Sequence, residues 1–193
     1  MRAESHIRLG KYLAENHMHS ASQLQIRFFL LGCIQPDRNP ATYLKGSLHH
    51  RWLRGHNYRN ASRFMYRISR RLERKTRFRL QDYYTLGKLI HYTADAFTRV
   101  HNDPAPTGLG AHMEYEDTLQ RYFLPYLAGD PEVEVSVCGS IMETVCACHS
   151  RYRTQNPDVS TDARFALAAC CAVMTILFPA ATPPHRRKEI SRL

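Results

Sequence analysis

The stretch GKLIHYTADAFTRVH, residues 87–101, decides the reading of this chain. Leu89, Ile90, Ala94 and Phe97 recur at helical intervals, and His91 and Asp95 stand four residues apart. On a helix that spacing puts the imidazole and the carboxylate on one face, one turn apart. Downstream, His112 and Glu116 repeat the interval, with His101 between the two pairs. The five residues read H-x3-D-x5-H-x10-H-x3-E. Neutral imidazoles and carboxylates that converge in this way are good ligands for zinc. An isolated His/Asp pair at this spacing is more often a surface hydrogen-bonded pair. Two pairs with a third His between them point to a site for more than one metal ion.

Working outward, the pattern is helical throughout. Residues 4–16 read as a short amphipathic helix, and residues 20–34 as a second, opened by Ser20 and closed by Pro36. Residues 37–59 carry Pro40, Gly46 and Gly55 with little periodicity, which predicts a long loop or broken helix. A helix capped by Asn60 or Ser62 runs to about Arg77, with Phe64, Met65, Ile68 and Leu72 on its apolar side. The segment 80–101 is a strong helix stopped by Asn102-Asp103-Pro104, and helices follow over 111–128, 132–155 and 160–178. The expected fold is all-α: a compact multi-helix single domain over 1–182, followed by a loose basic tail over 183–193. The uncharged run Phe165–Ala181 is slightly short for a transmembrane span and contains Pro179, so it reads as a buried core helix.

Composition limits the partners. Lys plus Arg number 27 against 17 Asp plus Glu, a formal charge of +10. Bound zinc would add to it, so the natural partners are anions: phosphate esters, nucleic acid or acidic lipid head groups. The basic run Arg67, Arg70, Arg71, Arg74, Lys75, Arg77 and Arg79 reads as a solvated face with charges on several sides. No aromatic RNA-binding signature accompanies it, so no stable nucleic-acid partner is expected, while peripheral membrane contact is compatible. The polar start MRAESHIRLGKYLAEN is not a signal peptide, and the six cysteines read as reduced core residues of a cytoplasmic protein.

Taken together, His6, the G-C-I-Q-P-D run ending at Asp37, a following loop His, residues 87–101 and H-M-E-Y-E from His112 resemble the zinc-dependent phospholipase C family. Fungal single-strand-specific nucleases share that family's metal site. The resemblance covers about residues 6–128. It implies a cluster of three zinc ions. One would be held by Asp37, a loop His, His91 and Asp95; a second by His101, His112 and Glu116. A third would take His6, share Asp95 as a bridge, and use the amino group and carbonyl of an N-terminal Trp. This chain instead begins with Met1 and has its single Trp at Trp52, leaving Glu4 or water as substitutes. Two or three zinc ions per chain are therefore expected. For the loop ligand, His49, His50 and His56 all qualify; Gly55 and the following helix start favour His56.

The expected activity is zinc-dependent hydrolysis of an anionic phosphodiester, either a lipid head group or a nucleotide. Asp37 is the candidate general base as well as a ligand, because it falls in a loop and could bind through one oxygen. The alternatives are a nuclease or nucleotide phosphohydrolase on the same cluster, or a metal-stabilised binding protein without turnover.

Overall fold

The computed structural model describes residues 1–39, 57–102, 108–155 and 158–179. The loop histidines 49, 50 and 56 and the basic tail lie outside the described residues. Those described form seven α-helices and one 3₁₀ turn, with no strand among them. The helices are α1 (Ala3–His17), α2 (Gln23–Arg38), α3 (Tyr58–Glu73), α4 (Leu80–Ala96), α5 (Leu109–Ala128), α6 (Ile141–Thr154) and α7 (Val159–Leu177). The 3₁₀ turn, Arg99–His101, follows α4.

α4 lies at the centre, packed against α2, α3 and α7. Its buried residues surround the helix and include Leu86, Leu89, Ile90, Ala94 and, among polar side chains, His91 and Asp95. Its most extensive contact is with α2, where Gly32 faces Gly87. A methyl group at Gly32 would collide with the Tyr84 carbonyl, and one at Gly87 with the Phe29 carbonyl, so the two backbones touch only because both positions lack a side chain. α7 is long and apolar enough to cross a bilayer, but Ala166, Leu167, Ala169, Cys170 and Val173 are fully buried in the bundle, as expected of a core helix.

Several boundaries differ from the sequence reading. α2 starts after Ser22, not Ser20: the Ser22 hydroxyl accepts from the Gln25 amide, and Gln25 reciprocates. It also runs through Pro36, so Asp37 is in a helical last turn rather than a loop. A proline's φ is itself helical, and packing along α4 holds the turn despite the missing donor. α3 is capped by Asn57, not Asn60 or Ser62, and ends at Glu73. The expected 80–101 helix stops at Ala96, because Asn102 turns back and donates to the carbonyls of Ala96 and Thr98. The expected 132–155 helix begins only at Ile141, with Ser140 as its cap.

Two surface readings also change. Cys33, Cys170 and Cys171 are buried, but Cys146 and Cys138 are exposed, so not every cysteine serves the core. The arginines of α3 are not spread over several faces. Arg59, Arg63, Arg67, Arg70, Arg71 and Arg74 are all exposed, opposite buried Ala61, Met65, Ile68 and Leu72. Burial of one apolar stripe forces the charges to the other side.

Candidate metal centre

The centre is built where α4 meets α1, α2 and α5. His91 and Asp95 project from adjacent turns of α4, His6 from α1 and Asp37 from the end of α2. Asp95 is the hub. Its Oδ1 is 3.2 Å from His6 Nε2, and its Oδ2 is 3.2 Å from His91 Nε2 and 3.8 Å from His101 Nε2. His91 Nε2 is also 3.5 Å from Asp37 Oδ1. On α5, His112 Nε2 is 3.4 Å from Glu116 Oε1, and the His101 and His112 rings meet edge to face. Two groups of donors converge closely enough to hold a metal ion: His6, His91 and Asp95, and His101, His112 and Glu116.

Met1 lies against the cluster, a contact that residue spacing does not reveal. Its amino group is buried, 2.7 Å from Asp95 Oδ1 and 3.0 Å from Glu116 Oε1, and so spans the two groups. Glu4, the substitute considered for the missing Trp, is exposed and accepts from Gln120 instead. His56 and its alternatives lie outside the described residues, so the loop ligand has no position here.

Electrostatics follow from burial and crowding. Burial pushes the His6 imidazole down to about 4, and neighbouring His91 adds to the effect; the two rings stack at 3.9 Å. Burial also takes His101 down to about 3. His91 is raised: burial acts against its charged form, but Asp95 and Asp37 together outweigh it. Burial acts against an ionised Asp95, yet His101, the Met1 amino group, His91 and His6 hold it well below the usual carboxylate range. Burial works against the charged Met1 amine, and Asp95, Glu116 and Asp37 still raise it to about 11.

Three observations test whether this donor set fits zinc. Both ring nitrogens of buried His6 lack a hydrogen bond among the described residues, although Nε2 faces a carboxylate. Such an orphan is costly unless another partner takes the lone pair. Next, donors bound tetrahedrally at 2.0–2.1 Å from zinc lie about 3.4 Å apart, and the separations above scatter around that value. Finally, the imidazole tautomers are set from behind. His91 Nδ1 is 2.8 Å from the Cys33 carbonyl, which requires a proton on Nδ1 and, in the neutral ring, leaves Nε2 with a lone pair. The Thr98 hydroxyl gives its proton to the Asp95 carbonyl, so at 2.6 Å it can only accept from His101 Nδ1. Nε2 of His101 is then also a bare acceptor facing the cluster. This is the arrangement metal-ligating histidines require.

Further supports were invisible to spacing arguments. Buried Asp162 of α7 accepts from the Arg99 amide at 2.8 Å and from the Tyr115 and Tyr152 hydroxyls at 2.7 Å each. It thereby ties the turn carrying His101 to the helix carrying Glu116. His149 donates from Nε2 to Asn102 Oδ1 at 2.7 Å, since both amide protons of Asn102 are already committed. Its ring stacks on Tyr58. Only Thr98, three residues before His101, left a local trace in the sequence.

An all-helical bundle with a buried His/Asp/Glu cluster at its centre is suited to holding metal ions. The family model for zinc dependent phospholipase C matches residues 5–175, and the chain belongs to that family. No curated protein and no solved structure matches it. Membership implies zinc as the metal and a phospholipase C-like hydrolytic function.

Proposed function

We propose that the chain is a phosphodiester hydrolase acting on phospholipids, with zinc held by His6, Asp37, His91, Asp95, His101, His112 and Glu116, together with His56. The observation that carries this reading is the position of Asp95. One buried carboxylate lies within 3.2–3.8 Å of three imidazoles from separate elements, placed to join two ligand groups. His6, sharing Asp95, supplies a donor for a further ion. Zinc in such a site lowers the pKa of water and neutralises charge on phosphoryl oxygens.

The protein's own contribution is positioning and proton transfer. Among the carboxylates of the cluster Asp37 is the most accessible, its side chain 22 % exposed against 12 % for Glu116 and 1 % for Asp95. It is the one that water and substrate reach, and we assign it the proton taken from the attacking water. The water oxygen bonds to phosphorus, the P–O bond to glycerol breaks, and diacylglycerol leaves with a proton. The phosphorylated head group is the second product.

The test is direct. Purified protein is analysed for zinc, then offered phosphatidylcholine and single-stranded DNA side by side, with and without chelator. Release of diacylglycerol that stops on chelation and returns with zinc supports the proposal. Cleavage of DNA alone would favour the nuclease reading. No turnover of either substrate by fully loaded protein would leave a metal-stabilised binding protein.

A further inference from the structure

The outer face of α3 has a charge pattern that the metal centre does not use. At about 100° per residue, Arg59, Arg63, Tyr66, Arg67, Arg70 and Arg74 fall within an arc of about 100° along the whole helix. Each of these side chains is exposed, Tyr66 by 53 %. Among the described residues no carboxylate pairs with any of the five arginines. The next two cations along the chain behave differently: Arg71 and Lys75 both pair with buried Asp82, at 3.3 and 3.4 Å. Like charges three and four residues apart destabilise a helix, and this stripe repeats that spacing throughout. An arrangement of this kind is relieved by a polyanion lying along it.

We propose that this face is the membrane-docking surface and that its partner is a bilayer containing acidic phospholipid. The inference rests on the phospholipase reading above, which requires the enzyme to work at a lipid surface. Three features favour a bilayer over nucleic acid. The stripe lies on one side of a single helix, an arrangement that can meet a flat charged plane. Tyr66 sits within it, its ring 5.9 Å from the Arg70 guanidinium, as an amphipathic side chain suited to the head-group level. Beside it, Arg63, Tyr66 and Arg67 line one wall of an open groove of about 850 Å³ whose other wall is Met142, Cys146 and one carboxylate, Glu143, of α6. Cations next to apolar surface suit a lipid head group and its upper chain. Single-strand binders instead stack successive bases on several rings, and Tyr66 is the one exposed aromatic among the described residues of α3. α3 also adjoins the centre: Phe64 packs edge-on against Tyr92, next to His91, and Tyr58 stacks on His149.

The experiment is co-sedimentation of the zinc-loaded full chain with vesicles of phosphatidylcholine alone, or with one-third phosphatidylserine. Binding should require the acidic lipid and weaken as salt rises. A basic residue at such a surface contributes about a factor of five in affinity, so R63Q/R67Q/R70Q together should lose on the order of a hundredfold. Circular dichroism and zinc content confirm that the variant is folded. R8Q/R27Q/R121Q removes the same charge from α1, α2 and α5 and should lose far less. Equal losses in the two triple variants, or equal binding to both vesicle types, overturn the inference. So does tighter binding of a single-stranded oligonucleotide that is abolished by the same α3 variant. Hydrolysis of micellar phosphatidylcholine is measured in parallel. Turnover without vesicle preference refutes the docking face alone, whereas vesicle binding without turnover refutes the enzymatic reading alone.

Discussion

A carboxylate as deeply buried as Asp95 stays ionised only with cations or metal around it. Its neighbours supply that surrounding from three elements and the Met1 amino group, so its removal should be felt by more than one ion. Asp95→Asn is expected to lose more than one zinc per chain and most activity, whereas His112→Ala should affect mainly one ion; elemental analysis of the two variants separates them. Full metal content in Asp95→Asn would end the bridging role. Thr98 acts at one remove. Thr98→Val keeps the shape but removes the acceptor that orients His101 Nδ1. Zinc affinity should fall by about 10–100-fold, as for other partners of metal-bound imidazoles. Competition with a chelator of known affinity measures it, and unchanged affinity would show that Thr98 serves packing only.

Between elements, the separation of α2 and α4 sets the distance from Asp37 to His91. Gly32→Ala would drive a methyl group into backbone that cannot rotate away, so the helices must part. Overpacking of this kind costs about 1–3 kcal/mol. The expected result is a lower thermal midpoint together with weaker zinc binding, since Asp37 and the Cys33 carbonyl both ride on α2. A drop in midpoint with unaltered metal affinity would show that the centre tolerates the shift. The joint between the 3₁₀ turn, α5 and α7 depends on Asp162. Burial raises its pKa, partly offset by the Arg99 amide and the two tyrosine hydroxyls. Asp162→Asn turns one acceptor into a donor facing donors, for a loss of about 1–3 kcal/mol measurable by urea unfolding.

For the molecule as a whole, acid should loosen the bundle before it protonates carboxylates. His17 and His149 lie outside the two ligand groups, and burial takes both down to about 4. Above the unfolded value of about 6.5 neither state binds the proton; below it the unfolded chain does and the folded chain does not. Their contribution is therefore full above pH 6.5 and declines as pH falls toward 4. Thermal midpoints of chelated protein from pH 7.5 to 4.5 should fall, and His149→Gln should flatten the profile. An unchanged slope in that variant would mean that His149 is charged in the fold. Activity belongs to this scale too. Zinc-dependent hydrolysis of bis-p-nitrophenyl phosphate is expected, lost on chelation and restored by zinc.

The metal pattern was legible because helical periodicity is local: four residues apart on α4 or α5 means the same face wherever the helix lies. That was enough to pair His91 with Asp95 and His112 with Glu116, and to expect an all-helical fold around apolar stripes. The motif likewise led to the family. Boundaries were less legible, since Pro36 inside α2 and the early stop of α4 depend on packing along α4 and on the Asn102 side chain. Arg59 joined Arg63 and the basic run in one stripe only once α3 was seen to start at Tyr58. What the tertiary structure alone decided is which distant groups meet. The amino group of Met1 reaches Asp95 from 94 positions away, and the Cys33 carbonyl orients His91 across 58. Such contacts are set by the direction in which whole helices pack, for which a linear pattern carries no distance.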